Sequence, residues 1–425
     1  MPPALWFDDP GVGQTDALLF QLPGSTPMKR RILFVDDNLR VLEGLRALVK
    51  PMEKEWEITF AEGGRVALAC MEKESYDAIV TDLGMSGMDG RALLEQVAAL
   101  HPTTLRIAFS GPSQSGLLLR SIGLVHQALS NPFNLDDLIA MIGNAFRLGN
   151  RIVDQEVKRA IGSIDYLPSV PSLYQELHTA LEREDVTVQV VGDIIRRDMG
   201  MTAKILKLVN SSFFGLRRTV ENLQEAVAFL GTETIQVLVL AHGLFDQAGT
   251  LGTRTLTLED IWQHSLSVAE GARALAAMEG LSRALKAESF MGGMLHDVGI
   301  IVLAKNFPER YDKVVQLSAK EKLPVYTAEQ REFGLGHAEV GAYLLGLWGI
   351  QPAILRAVSL HHTPSVLRST SFNPVLAIHL ADDLCGAQGH HALFERSELD
   401  ERALSPLGIR DHMAGWRKVL AKPEW

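Results

Sequence analysis

The hydrophobic pattern of this 425-residue chain changes period once, near Asn150, and that change dictates two different folds in one polypeptide. Between Arg31 and about Arg147, short apolar runs alternate with helical stretches. RILFV (31–35), EITFA (57–61), DAIVT (77–81), LRIAF (105–109) and LVHQAL (124–129) read as strands. Leu39–Leu48 and Gly90–Leu100 read as helices between them. Strands joined through helices pair in parallel, with functional groups gathered at the strands' C-terminal ends. Beyond Asn150 the strand signal stops. Residues 151–425 read as helices broken by turns at LPSVP (167–171), SSFFG (211–215) and LGTRT (251–255). The expected class is α/β followed by all-α.

Composition narrows the function. Apolar residues make up 47% and charged residues 22%, which excludes wholesale disorder. The net charge of −10 argues against a large nucleic-acid footprint. No apolar run reaches the ~18 residues of a membrane helix. Met291–Ala304 comes nearest, and His296 and Asp297 interrupt it. No basic region precedes an apolar stretch at the N-terminus, so no secretory signal is expected. Cys70 and Cys385 are too few for a disulfide framework or a thiolate metal site. A reducing cytoplasm is the expected location. Residues 1–27, rich in Pro and Gly, read as a loose extension, and Met28, heading the basic MKRR, is an alternative start to Met1.

Asp36 and Asp37 directly follow the first strand, Asp82 ends the third, and Ser110 ends the fourth. A parallel sheet brings those ends together. Three crowded carboxylates are costly unless a hard cation binds them, and Mg²⁺ prefers such oxygen ligands. The plain alternative is an acidic sheet edge with no chemistry.

VDDN (35–38), TDLGMSGMDG (81–90), FSG (109–111) and NPF (131–133) make this segment resemble a response-regulator receiver domain, a flavodoxin-like (βα)5 fold. The resemblance implies that Asp82 accepts a phosphoryl group from a sensor histidine kinase. It further implies that Asp36, Asp37 and Asp82 hold Mg²⁺ with the Gly84 carbonyl, and that Ser110 is the switch hydroxyl. Two positions depart from the family. Asn131 stands where a Lys normally meets the acyl phosphate, and Ala128 replaces the aromatic switch residue. Losing that Lys removes a charge-assisted contact worth ~1.5–3 kcal/mol, so phosphorylation is expected to persist with weaker coupling to conformation.

The second half concentrates ligand-type residues. Asp260 and His264 lie one helical turn apart, His296 and Asp297 are adjacent, and His337, the pair His361–His362, and Asp382 follow. Neutral imidazoles with carboxylates suit Fe, Mn or Zn. The plain alternative is a set of polar side chains satisfying one another inside a helix bundle.

LPSVPSLYQEL (167–177), AKILKLVNSSFFG (203–215), AVAFLGTETI (226–235), IWQHS, LHDVG and HAEVG…LWGI…HH are similar to the HDOD (HD-related output) domain of the HD superfamily of metal phosphohydrolases. HDOD domains are regarded as signalling outputs without hydrolase activity, so that resemblance implies an output that contacts protein partners. Yet His264, His296, Asp297, His337, His361, His362 and Asp382 match the ligand positions of the sister HD-GYP phosphodiesterases, with Asp260 standing in for a Glu. Ile300 occupies the position of a catalytic Lys, and TPSVLRST after the double His lacks a loop to seat a cyclic dinucleotide. An apolar side chain cannot stabilise a phosphate oxyanion.

The organisation so read is an extension (1–27), a receiver (28–147), a helical linker (148–160), an HDOD domain (161–385) and closing helices (386–425). The function so read is a cytoplasmic two-component response regulator whose HDOD output signals to an unknown downstream protein. Two rivals stand beside it. One is a receiver-gated metal-dependent phosphohydrolase of cyclic dinucleotides. The other is a sensor that holds a nucleotide in the HD pocket without hydrolysis. A homodimer is compatible with all three, and none requires a membrane. Arg196, Arg197, Lys204, Lys207, Arg217 and Arg218 form a basic area around NSSFFG that reads as a solvated helix face, with contact to a nucleotide, a nucleic acid or an acidic partner as the alternative. Phe213 and Phe214 read as core anchors, and His390–His391 as surface residues.

Overall fold

The computed structural model describes residues 29–110, 121, 124–130, 135–164, 176–177, 179–181, 183, 185–210, 220, 222–236, 251–254, 256–386, 393–394, 398–408 and 412–420. Asn131, the NPF motif, most of LPSVPSLYQEL, Phe213, Phe214, Arg217, Arg218, His390 and His391 lie outside them.

Five strands form one parallel sheet in the order β2-β1-β3-β4-β5: β1 (Arg30–Asp36), β2 (Trp56–Glu62), β3 (Ala78–Asp82), β4 (Leu105–Ser110) and β5 (Gln127–Ser130). The last strand begins three residues later than its apolar run suggested. Alternation along each strand supplies both faces. Leu33, Val35, Ile79 and Ala108 pack against α2 (Gly64–Lys73) and α3 (Gly90–Leu100). Ile32, Phe34, Val80 and Ile107 pack against α1 (Leu39–Val49) and α4 (Leu135–Gly149).

The remaining described elements are helical: α5 (Gln155–Gly162), α6 (Val188–Ile195), α7 (Met199–Val209), α8 (Leu223–Gln236, broken at Gly231), α9 (Leu258–Met278) and α10 (Arg283–Leu295). They continue as α11 (Val298–Asn306), α12 (Pro308–Glu321), α13 (Val325–Phe333), α14 (His337–Leu347), α15 (Pro352–Leu360), α16 (Pro374–Gly386), α17 (Glu401–Leu404) and α18 (Met413–Leu420). Helices α9, α10, α15 and α16 pack together, and Trp416 of α18 is fully buried against them. The span Arg283–Asn306 is long and apolar enough to cross a membrane, with an 18-residue window of mean hydropathy 1.3, but 83% of that window is buried inside the bundle.

The junction is helical and packed. After α4 the chain turns, Asp154 caps α5, and Val157 and Ile161 bury one face of α5 in the shared core. Arg106 of β4 is fully buried; its Nη1 donates to the Gly162 carbonyl at 3.1 Å and its Nε to the Leu124 carbonyl at 2.7 Å. Gln127 Nε2 of β5 donates to the Gly346 carbonyl of α14 at 3.2 Å, and Trp348 Nε1 to the Ile164 carbonyl at 3.3 Å. The sheet's β4–β5 edge and α4 therefore rest on α14, whose first residue is His337.

Both cysteines are free thiols. Burial, with the negative charge of Asp382, pushes the Cys385 thiol up to about 12. Thiolate is the reacting species. Iodoacetamide at pH 8 should therefore modify the half-buried Cys70 in native protein and reach Cys385 only after denaturation. Equal native labelling of both, read by peptide mass spectrometry, would contradict the packing of α16.

Candidate functional sites

The acidic site forms where β1 and β3 lie side by side, with Val35 paired to Thr81. Asp36 is 4% exposed, and its Oδ1 accepts from Asn38 N at 2.8 Å. Asp37 Oδ2 accepts from Ser86 N at 2.6 Å, and Asp82 Oδ2 accepts from Gly84 N at 2.9 Å. Gly90 lets the following loop close over the site, since a Cβ there would lie 2.1 Å from the Asp82 carbonyl. Burial, against the Asn38 N–H and reinforced by the charges of Asp82 and Asp37, raises Asp36 to about 6. Hydrogen bonds from Ser86 hold Asp37 below its ordinary value. A group that resists ionisation beside two other acids is the electrostatic condition a divalent cation relieves. Ser110 ends β4 beside Asp82, whose own partner in the register is Phe109. Ala128 is 3% exposed in the sheet core, with no aromatic ring to swing outward.

The second site joins six helices. His264 comes from α9, His296–Asp297 from the corner between α10 and α11, and His337 from the start of α14. His361–His362 follow α15, and Asp382 lies on α16. Close glycine packing makes this convergence possible. Gly293 presses α10 onto the Ala269 backbone of α9, and Gly299 presses α11 onto the His337 backbone. His264, His296, His337 and His361 are fully buried, and Asp297 and Asp382 are 3% and 6% exposed.

Ligand atoms fall into three groups, each within 4.8 Å: His264, His296, Asp297; His296, His361, Asp382; and His337, His361, His362. Asp297 links them. Its Oδ1 lies 3.1 Å from His337 Nε2, and its Oδ2 lies 3.2 and 3.5 Å from His296 and His264 Nε2. Asp382 Oδ1 lies 3.0 Å from His264 Nε2.

Hydrogen bonds on the outward ring nitrogens decide what the inward ones present. His296 Nδ1 donates to the Gly293 carbonyl at 2.7 Å, and His361 Nδ1 to the Val358 carbonyl at 2.6 Å. His337 Nδ1 donates to Glu329 at 2.6 Å. In the neutral rings, Nε2 of all three is then a lone pair aimed at the centre. His337 Nε2 stands 3.3 Å from His361 Nε2 and 2.9 Å from His362 Nε2. Nitrogens each about 2.1 Å from one shared ion would be separated by roughly that much. His296 Nε2 is buried without an aligned hydrogen bond. Facing lone pairs need a cation or a proton between them, so the donor set fits one or two divalent ions.

The electrostatics agree. Burial alone would lower His337, but the charges of Glu329 and Asp297 outweigh it and hold the ring well above its ordinary value. Burial likewise disfavours the His296 cation, yet Asp297 and Asp382 raise it. Burial would raise Asp297, but His296 and His337 bring it well below the usual carboxylate range. Burial, with those cationic neighbours, drives His361 down to about 3.

Asp260 does not join this set. Its Oδ2 accepts from Thr257 N at 2.9 Å and from Thr257 Oγ1 at 2.6 Å, making it the third residue of a capping box that starts α9. The helix terminus claims the carboxylate. Conversely, the sequence reading missed Glu329. That residue is fully buried on α13, where its Oε2 accepts from both N and Nδ1 of His337 and its Oε1 accepts from Tyr311 Oη at 2.7 Å. Phe394, stacked 4.2 Å over His264, and Tyr326, 4.7 Å from His362, wall the pocket. Ile300 is fully buried on α11 and brings no charge.

Comparison with known proteins separates the two halves in the same way. The response regulator receiver domain family matches residues 32–143, and the HDOD domain family residues 167–364. An uncharacterized protein of Treponema pallidum is 30% identical over 200 residues, covering 47% of this chain and 38% of that protein. The transcriptional regulatory protein ZraR of Escherichia coli O157:H7 is 27% identical over 169 residues, 38% of this chain and 37% of ZraR. The chain thus spans well under half of either relative. The MmoQ response regulator of Methylococcus capsulatus is 23% identical, covering 57% of this chain and 98% of that structure with a TM-score of 0.43. By sequence pattern, sheet topology and family match together, this chain carries a response-regulator receiver domain followed by an HDOD domain.

Proposed function

We propose that the protein is a cytoplasmic response regulator that is phosphorylated on Asp82 and signals through its HDOD domain to a protein partner. The convergence of Asp36, Asp37 and Asp82 at adjoining strand ends is the observation that carries this reading. Asp36, Asp37, Asp82 and the Gly84 carbonyl would hold Mg²⁺, whose charge offsets the phosphoryl oxygens. The Asp82 carboxylate then takes the phosphoryl group from a kinase phosphohistidine: a P–N bond breaks and a P–O bond forms. Contact of β5 and α4 with α14 supports a route from this site to the helical domain. Acetyl phosphate with Mg²⁺ should add one phosphoryl group, and Asp82→Ala should abolish the addition. Equal labelling of Asp82→Ala would end the proposal.

A second reading is favoured by the lone pairs facing one another around Asp297. In it the HD pocket binds Fe, Mn or Zn. The same residues argue against fast phosphodiester turnover, because Ile300 offers no group to offset transition-state charge, a loss worth ~3–4 kcal/mol. Metal should therefore copurify in chelator-free buffer, with cyclic dinucleotide hydrolysis slow or undetectable. Multiple turnover that disappears in His296→Ala would make the protein an enzyme.

A further inference from the structure

A cleft outside both sites lies between α6, α8, α9 and α10 and has a volume of about 430 Å³. That is within the ~300–1,000 Å³ of small-molecule sites. Its floor is apolar, built on Ala274, Phe290 and Met291. Arg196, Arg273, Arg283 and Lys286 line it, against one acid among the described lining residues, Glu270. Glu270 is already committed: it pairs with Arg273 and lies 3.5 Å from Arg196. Arg283 and Lys286 have no ion-pair partner among the described residues.

Arg196 also pairs with Asp193 at 3.2 Å, so in a chain of net charge −10 it is Arg283 and Lys286, beside these paired arginines, that gain most by binding an anion at the apolar hollow. Arg guanidinium matches phosphate geometry through paired N–H donors. The Arg273 guanidinium lies 5.9 Å from the Phe290 ring centre, so charge and aromatic surface meet in one place. Gln224, at the start of α8, adds an amide able to donate and accept, while the Asn222 amide is engaged with Glu225 at the helix start. The sequence reading favoured a solvated face for Arg196 and kept contact with a nucleotide as an alternative; the fold turns Arg196 toward α9 and α10. We propose that this cleft binds a nucleotide, with phosphates on the cations and the base over Phe290 and Met291. The cleft is distinct from the histidine cluster, which lies beyond the other end of α10.

The test uses full-length protein in EDTA, which removes any contribution from metal at the histidines. Binding of ADP, GDP, cyclic AMP, cyclic di-GMP and inorganic phosphate is measured by calorimetry. At least one nucleotide should bind at micromolar concentration, at least tenfold tighter than phosphate and more weakly in high salt. Arg283→Glu combined with Lys286→Glu should weaken that binding about 100-fold with an unchanged melting temperature, and Lys286→Gln alone by a smaller factor. The proposal is overturned if no nucleotide binds below about 1 mM. It is equally overturned if phosphate binds as tightly, or if both variants bind like the parent protein.

Discussion

Gly299→Ala is expected to destabilise the helical domain by about 3 kcal/mol and to weaken divalent-metal binding with it. A Cβ at this position would lie 2.0 Å from the His337 carbonyl oxygen and 2.7 Å from its carbon. Those are backbone atoms, which cannot rotate away as a flexible side chain does. Gly341 faces the same contact from the other helix, with a Cβ position 3.1 Å from Gly299 N, so α11 and α14 have no slack to yield. Alanine favours helix over glycine by about 1 kcal/mol, which offsets only part of the clash. Gly143 of α4 supplies the opposite sign, because nothing lies within 4 Å of its Cβ position. Gly143→Ala should therefore stabilise by ~0.5–1 kcal/mol. Denaturant midpoints of the two variants decide the matter. Should they shift in the same direction, the close approach of α11 to α14 is wrong. Metal affinity should fall only in Gly299→Ala, since that contact brings Asp297 to His337.

What the sequence reveals here depends on how local the determinant is. Asp36, Asp37 and Asp82 sit at strand ends, and short continuous apolar runs, buried on both faces as in a parallel sheet, mark those strands without help from the rest of the chain. The order β2-β1-β3-β4-β5 then brings the acids together, as a doubly wound sheet must. The histidine set was readable only through family register, because six separate helices supply it. Asp260 shows a local signal overlooked in favour of a distant one. Thr257-Leu-Glu-Asp260 has the spacing of a capping box, and the box prevails because it satisfies the otherwise free N–H groups starting α9. Glu329 carried a subtler sign. Val325, Glu329 and Phe333 recur at i, i+4 and i+8, so a carboxylate lies on the buried stripe of α13. A charge in that position needs buried partners, and His337 and Tyr311 are those partners. Docking of β5 and α4 on α14 had no comparable signal, since Gln127 and Gly346 are 219 residues apart and neither has a distinctive pattern.

Glu329→Gln should lower divalent-metal affinity about 10–100-fold while leaving the metal-free fold nearly intact. The fold survives because the amide can replace the carboxylate atom for atom. Its oxygen can sit where Oε2 accepts from His337 N and Nδ1 at 2.7 and 2.6 Å, and its NH₂ can donate to Tyr311 Oη, which rotates to accept. What changes is charge. A carboxylate on Nδ1–H makes Nε2 a stronger base and a better ligand, and a neutral amide does so far less. Without metal, Glu329 is also one of the two charges that keep His337 well above its ordinary value. A folded-state pKa raised in this way adds stability that is complete at low pH and is lost as pH rises through the raised value. Removing the charge should therefore reduce the stability of metal-free protein more in neutral than in alkaline solution. Chelator competition with Mn²⁺ or Zn²⁺ gives the affinity, and urea denaturation of the chelated variants gives the stability. If Glu329→Gln binds metal like the parent protein, His337 is not a ligand that Glu329 orients. If Glu329→Leu, which leaves both His337 N–H groups unsatisfied, is no less stable than Glu329→Gln, the buried hydrogen bonds from His337 contribute nothing to the fold.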